Sequence, residues 1–300
     1  MNPYSHNKLV YIGMGMLFAG LAFKVSLVPF HSWTPDVYQG APTPITGFMS
    51  VATKAAAFAL IARMFFTAFP DLNNIWMPIL FGASVLTMLV GNIAAIFQDD
   101  VKRMLAYSSI GQVGYLLMGI AAISVLSSNG LILHLVGYAV TTMAAFTAII
   151  VFYNLTAKDE IPDFAGLADR SPLLAASLAV AFFSLAGLPF FAGFTTKFYL
   201  FTAVAEGGFL WLSGLAATTS LISLYYYLIV IKQMYIQPVE DTTPLQVPRV
   251  MACTLGILLL AIILIGIYPG PLVDAIEVAS KAILPLERLT AEVSTSISGP

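Results

Sequence analysis

Charge is what this sequence has least of. Only 9% of its 300 residues are Asp, Glu, Lys or Arg, against about 25% in an average soluble domain. That is too few to coat a water-facing surface. Cysteine is almost absent: the single Cys253 excludes an intrachain disulfide and any cysteine cluster for iron–sulfur or zinc. It stands in an apolar run, where a packed thiol is expected. The net charge of −2 excludes a strongly basic nucleic-acid binder. No glycine-rich phosphate loop follows a predicted strand, and no nucleophile elbow is present. His31 and Asp36 have no second His or Cys nearby, which excludes a metal site there.

Apolar side chains, in contrast, make up 59% of the chain. They fall in runs that repeatedly reach the roughly 20 residues needed to cross hydrocarbon. The sequence therefore predicts an all-α membrane protein of about eight transmembrane helices, near 9–29, 44–68, 76–97, 102–124, 130–155, 172–205, 209–235 and 249–268. The first run is too long for a signal-peptide core and contains Lys24, so it reads as a mature span. Residues 272–290 mix apolar and charged side chains and predict an amphipathic helix at the interface, followed by a disordered tail.

Two spans are expected to be broken. A helix over 172–205 would reach about 50 Å, beyond a core of about 30 Å, and Gly187, Pro189 and Gly193 lie in its middle. The first span ends at Pro29 in a similar way. Val28-Pro29-Phe30 aligns with Leu188-Pro189-Phe190, five spans later. An odd offset inverts the second copy in the bilayer, which is the pattern of inverted-repeat transporters.

Ionisable groups inside spans cost roughly 2.5–3.5 kcal/mol each near a helix centre. Lys54 falls near mid-depth, Lys24 lies about fifteen residues into its span and nearest a snorkelling end, Lys197 begins the second half-helix after Pro189, and His134 lies early in the fifth span. Desolvation weakens the hold of an ammonium on its proton, so buried lysines suit a proton relay. No carboxylate falls at mid-depth in any span, which leaves Lys24 without an acid partner. Arg63 and Lys232 lie near helix ends, where snorkelling anchors are expected. Gly111 and Gly114 read as packing positions, and Tyr225-Tyr226-Tyr227 as packing or interfacial aromatics. Lys102, Arg103, Lys158, Arg170, Lys232 and Arg249 fall on the side that carries His31 and Asp36. That side is expected to be cytoplasmic, in an inner (plasma) membrane.

The stretch from Gly20 to Pro44, with Lys24, Pro29, His31, Trp33, Pro35, Asp36, Tyr38 and Gly40, resembles a signature of the subunit N family of proton-translocating NADH:quinone oxidoreductase (respiratory complex I). Lys54 in Ser50–Phe58, the run Asp100–Gln112, and Ala186–Tyr199 with Lys197 are similar to three further signatures. The lysine at 197 favours subunit N over subunit M, which typically carries Glu there. The resemblance implies an antiporter-like bundle of two inverted five-helix repeats. Residues 1–75 would be the last two helices of the first repeat, 76–248 the second repeat, and 249–300 a final span, interfacial helix and tail. It also implies that Lys24, Lys54, His134 and Lys197 relay protons, with Pro29, Pro189 and Gly193 at the helix breaks. NADH, flavin, iron–sulfur clusters and quinone would belong to other subunits, leaving no cofactor in this chain. Partners would be the other membrane-arm subunits, antiporter-like paralogues among them, and the lipid bilayer. The family has fourteen spans and this chain matches from the seventh, so a fragment or short form is expected, with the partner of Lys24 supplied from outside it. A related multi-subunit cation/proton antiporter or membrane-bound hydrogenase subunit is the alternative.

Overall fold

The computed structural model describes residues 8–122, 124–238 and 243–283. It is helical, with no strand among the described residues beyond a single antiparallel bridge between Asp100 and Glu160. In chain order the helices are α1 (Lys8–Val25), α2 (Trp33–Gly40), α3 (Thr43–Arg63), α4 (Asn73–Ala95), α5 (Val101–Ala121), α6 (Val125–Thr156), α7 (Leu167–Arg170), α8 (Pro172–Ala186), α9 (Ala192–Val204), α10 (Leu210–Tyr235), α11 (Arg249–Ile267) and α12 (Gly270–Ile283).

Local chemistry sets these boundaries. Pro44 and Pro172 stand in the first turns of α3 and α8, where a missing N–H costs nothing. The Asp100 side chain caps α5 by accepting from the Arg103 N–H at 2.7 Å. Ser124 and Ser127 bond reciprocally at the start of α6.

Seven helical stretches are long and apolar enough to cross a membrane, counting Ala192–Tyr235 as one. Gly208, at φ +91°, interrupts that stretch, so α9 and α10 form an antiparallel pair. The 15-residue α8 and the 13-residue α9 then make one discontinuous crossing, which gives the eight expected from the sequence. The amphipathic segment is helical from Gly270, two residues earlier than expected, and the expected tail lies outside the described residues. Cys253 is a correction: it is exposed on α11 and is not packed. Most of α11 presents its apolar side chains outward, the state of a helix facing lipid.

Both predicted breaks are present, and they share one hydrogen-bond pattern. After α1, the Ser26 and Leu27 N–H groups donate to the Phe23 and Ala22 carbonyls at 3.1 and 2.8 Å. After α8, Gly187 and Leu188 donate to Ser184 and Phe183, both at 3.0 Å. Ser26 (φ +68°) and Gly187 (φ +89°) supply the left-handed residue that such a helix end requires. This pattern pairs Leu27 with Leu188, one residue away from the register suggested by matching Pro29 to Pro189.

α5 is the axis of the bundle, with every residue but Arg103 and Tyr107 buried. Glycines let α4 come close: a Cβ on Gly91 would lie 2.4 Å from the Gly111 nitrogen, and one on Gly114 would lie 2.5 Å from Met88 Cγ. The apolar core is divided in two along this helix. Val101, Met104, Leu105 and Ala106 belong to one cluster, with Phe146, Phe152 and Phe182, and the apolar side chains from Val113 to Ala121 to the other, with Phe58, Phe65 and Trp76. Between them lie Ser108, Ser109 and Gln112, all buried and polar.

Candidate functional site

The buried polar layer on α5 is where the candidate residues meet. Lys54, in the middle of α3, is 3% exposed. Its ammonium donates to the Ser109 carbonyl at 3.1 Å and to the Ser109 hydroxyl, and lies 5.9 Å from the centre of the Tyr38 ring. His134 on α6 is 2% exposed and held from two sides. Its Nε2 bonds Gln112 Oε1 at 3.1 Å and its Nδ1 bonds Thr196 Oγ1 at 3.0 Å. Gln112 and Thr196 thus fix the imidazole ring between α5 and α9.

Lys197, on α9, is 4% exposed. It donates to the Leu185 carbonyl at 2.6 Å and to Ser220 Oγ at 2.8 Å, and stands 5.1 Å over the Tyr115 ring. The break is what frees that carbonyl, because α8 ends at Ala186 and no helical N–H follows to bond Leu185. A void of about 10 Å³ is lined by both His134 and Lys197, together with Gln112, Tyr138, Ser184 and Gly193. That is roughly the space of one water. On its other flank Lys197 borders an apolar cleft of about 280 Å³ between Phe194, Phe198, Phe201 and Leu221.

Lys24 departs from the expectation. It is exposed at the penultimate position of α1, a helix with only three buried residues, Met14, Ala22 and Val25. Most of the circumference of α1 points away from the rest of the described chain, and Lys24 points with it. Among the described residues, Lys24, Lys54 and Lys197 form no ion pair. Pro29 and Pro189 lie in the linkers after the left-handed residues, whereas Gly193 is the second residue of α9. A Cβ at Gly193 would sit 1.7 Å from the Ser184 carbonyl oxygen, so this glycine lets the two half-helices touch.

Several partners were not singled out from the sequence: Ser109, Gln112, Thr196, Ser220 and Tyr115. Serine and threonine are common in membrane helices as packing residues, so nothing in their spacing marks them. Gln112 alone carries a signal, being an amide in an otherwise small and apolar run of α5.

At the end of the bundle bearing Asp99, three ion pairs form. Lys102 lies 3.0 Å from Asp159, Arg103 2.6 Å from Asp36, and Lys158 3.2 Å from Asp163. Lys102 also donates to the Gln39 carbonyl at 2.9 Å, tying α2 to α5. Burial pushes the Asp100 carboxyl above its ordinary range, with the Arg103 N–H partly opposing. Among the described residues no group of three or more His, Cys, Asp or Glu gathers as for a metal.

Discontinuous helices that expose carbonyls to buried lysines define a polytopic protein of the antiporter-like class. The chain belongs to the NADH:quinone oxidoreductase/Mrp antiporter transmembrane family, whose model matches residues 2–223. It is 48% identical over 264 residues to a protein of Moorella thermoacetica named NADH-quinone oxidoreductase subunit N, covering 88% of this chain and 56% of that one. It is 33% identical to a chain of respiratory complex I from Thermus thermophilus solved with bound aureothin, with a TM-score of 0.78 over 90% of this chain and 60% of that one. It also shares its fold with a chain of the Mrp complex from Dietzia, at a TM-score of 0.85 and 20% identity, over 95% of this chain and 62% of that one. The chain thus spans little more than half the length of the curated relatives it matches.

Proposed function

We propose that this chain is the proton-translocating part of a subunit N of NADH:quinone oxidoreductase. One observation carries the reading: Lys54 and Lys197 are buried in spans and held, among the described residues, by hydroxyls and carbonyls, with His134 hydrogen-bonded in the same polar layer. An ammonium with neutral partners in a low-dielectric site is poised to lose its proton when a nearby charge changes. Protons pass from Lys54 by way of Ser109 and the His134 environment to Lys197. Lys24 belongs to the same relay and takes its carboxylate partner from polypeptide outside this chain.

Quinone reduction on other subunits drives the cycle, and no redox group is assigned to this chain. Residues 1–75 and 76–248 act as parts of two inverted repeats, with 249–300 as a closing span. The protein lies in the inner (plasma) membrane, with the end bearing His31, Asp36 and Lys102 facing the cytoplasm. Antiporter-like paralogues of the same membrane arm are its partners. The names of the relatives support this reading over a cation/proton antiporter subunit, for which the shared family and fold speak.

The test uses the assembled complex in proteoliposomes. Lys54→Ala and Lys197→Ala should each keep electron transfer measurable while lowering the protons moved per electron. Undiminished coupling in both variants would reject the relay. Altered assembly with unchanged pumping per complex would assign the lysines a scaffolding role instead.

A further inference from the structure

A second polar seam leads to Lys197, and the relay above does not use it. It starts at a cavity of about 170 Å³ at the end of the bundle bearing Asp99, lined by Gln98, Asp99, Gln233 and Tyr226. The Tyr226 hydroxyl donates to Asn92 Oδ1 at 3.1 Å. Asn92 Nδ2 donates to the Tyr115 hydroxyl at 3.1 Å, which in turn donates to Thr219 Oγ1 at 3.2 Å. Tyr115 adjoins Lys197, whose ammonium stands 5.1 Å over its ring and donates to Ser220, the residue after Thr219. Tyr226, Asn92, Tyr115 and Thr219 are each no more than 1% exposed.

One member differs in kind from the rest. A hydroxyl both donates and accepts, and can turn to hand a proton onward. A primary amide has fixed donor and acceptor ends, and passing a proton through it requires a high-energy imidic acid form. The direction of this amide is also settled. Its nitrogen donates to the Met88 carbonyl at 2.8 Å, and a carbonyl can only accept. Oδ1 therefore faces Tyr226 and the cavity, and Nδ2 faces Tyr115 and Lys197. Gly111 leaves it room: a Cβ at that position would lie 2.8 Å from Nδ2.

Resting on the proton-translocating reading, we infer that Asn92 is an insulating plug. It closes a water-reachable cavity off from Lys197, so that the lysine is not in protonic contact with that face except through the relay. A lysine open to both faces at once would dissipate the gradient it builds. Asn92 acts through its neighbours and is a positioning residue, not part of the relay.

Asn92→Asp tests this in the assembled complex. A carboxyl of nearly the same shape accepts a proton on one oxygen from the Tyr226 side and releases it from the other toward Tyr115. The expected result is a passive proton leak several-fold above wild type, with potassium permeability unchanged and fewer protons retained per electron. Asn92→Leu, which cannot relay, should not leak. Adding Lys197→Ala to Asn92→Asp should return the leak toward the wild-type level. A wild-type leak in the Asp variant, or an equal leak in the Leu variant, would overturn the plug. Should the Asp variant fail to assemble, Tyr226→Phe decides: unchanged pumping supports a closed seam, and reduced pumping shows that it conducts. Full pumping in the single Lys197→Ala variant would instead reject the proton-translocating reading, whatever Asn92 does.

Discussion

The Lys197 ammonium lies 2.6 Å from the carbonyl oxygen of Leu185, twelve residues before it in the chain and on the other half of a broken helix. In a continuous helix that oxygen would be taken by an N–H one turn later. Gly187 ends α8, Ser220 takes the neighbouring Ala186 carbonyl at 2.9 Å, and the lysine takes the one before it. The break and the buried cation are thus one arrangement: the interruption in the backbone provides the solvation that lipid cannot.

The contact between the half-helices predicts the effect of Gly193→Ala. The added methyl would meet the Ser184 carbonyl at 1.7 Å, and that oxygen is backbone and cannot turn aside. α9 must move away and take Lys197 with it. Overpacking typically costs about 1–3 kcal/mol, and a contact with rigid backbone belongs at the upper end. A thermal-unfolding scan of the assembled membrane protein should show a clearly lowered midpoint.

Lys54→Met separates stability from function. Among the described residues the buried wild-type ammonium has Ser109 as its hydrogen-bond partner, and methionine fills a similar volume without needing any. Replacing a buried charge with a well-packed apolar group is commonly neutral or stabilising. The midpoint should stay level or rise while proton translocation falls. A strongly destabilised Met variant would show that Lys54 holds α3 to α5.

Asp100 offers a pH-dependent test. Its carboxyl is raised above the ordinary range, chiefly by burial. The neutral form is the one favoured in the fold, so the associated stability is full below the unfolded-state pKa. It is lost as pH rises through the higher folded value. Asp100→Asn keeps a capping oxygen and should flatten that part of the stability–pH curve. Asp100→Leu removes the cap on α5 as well and should cost about 1 kcal/mol relative to Asp100→Asn at any pH. Unfolding midpoints measured across the acidic range distinguish the two.

The spans and both breaks were legible in the sequence because hydrophobic run length, proline and glycine act locally. Lys54, His134 and Lys197 were legible because an ionisable group inside an apolar run is costly enough to stand out. The exposure of Lys24 was not, since it depends on which face of α1 is covered, and a run that is apolar all round does not specify a face. The outward position of Cys253 escaped for the same reason. Partners such as Ser109 and Ser220 depend on contacts between helices distant in sequence, and their hydroxyls look like ordinary small packing residues. Tyr226 was legible as an aromatic, but not as the donor to Asn92.

The central claim is that buried lysines of this chain carry the translocated proton. The most direct measurement is the number of protons moved per electron by the complex in sealed proteoliposomes, wild type against Lys54→Ala/Lys197→Ala. The double variant should still oxidise substrate but move fewer protons per electron, with no added passive leak. An unchanged ratio at full assembly would contradict it.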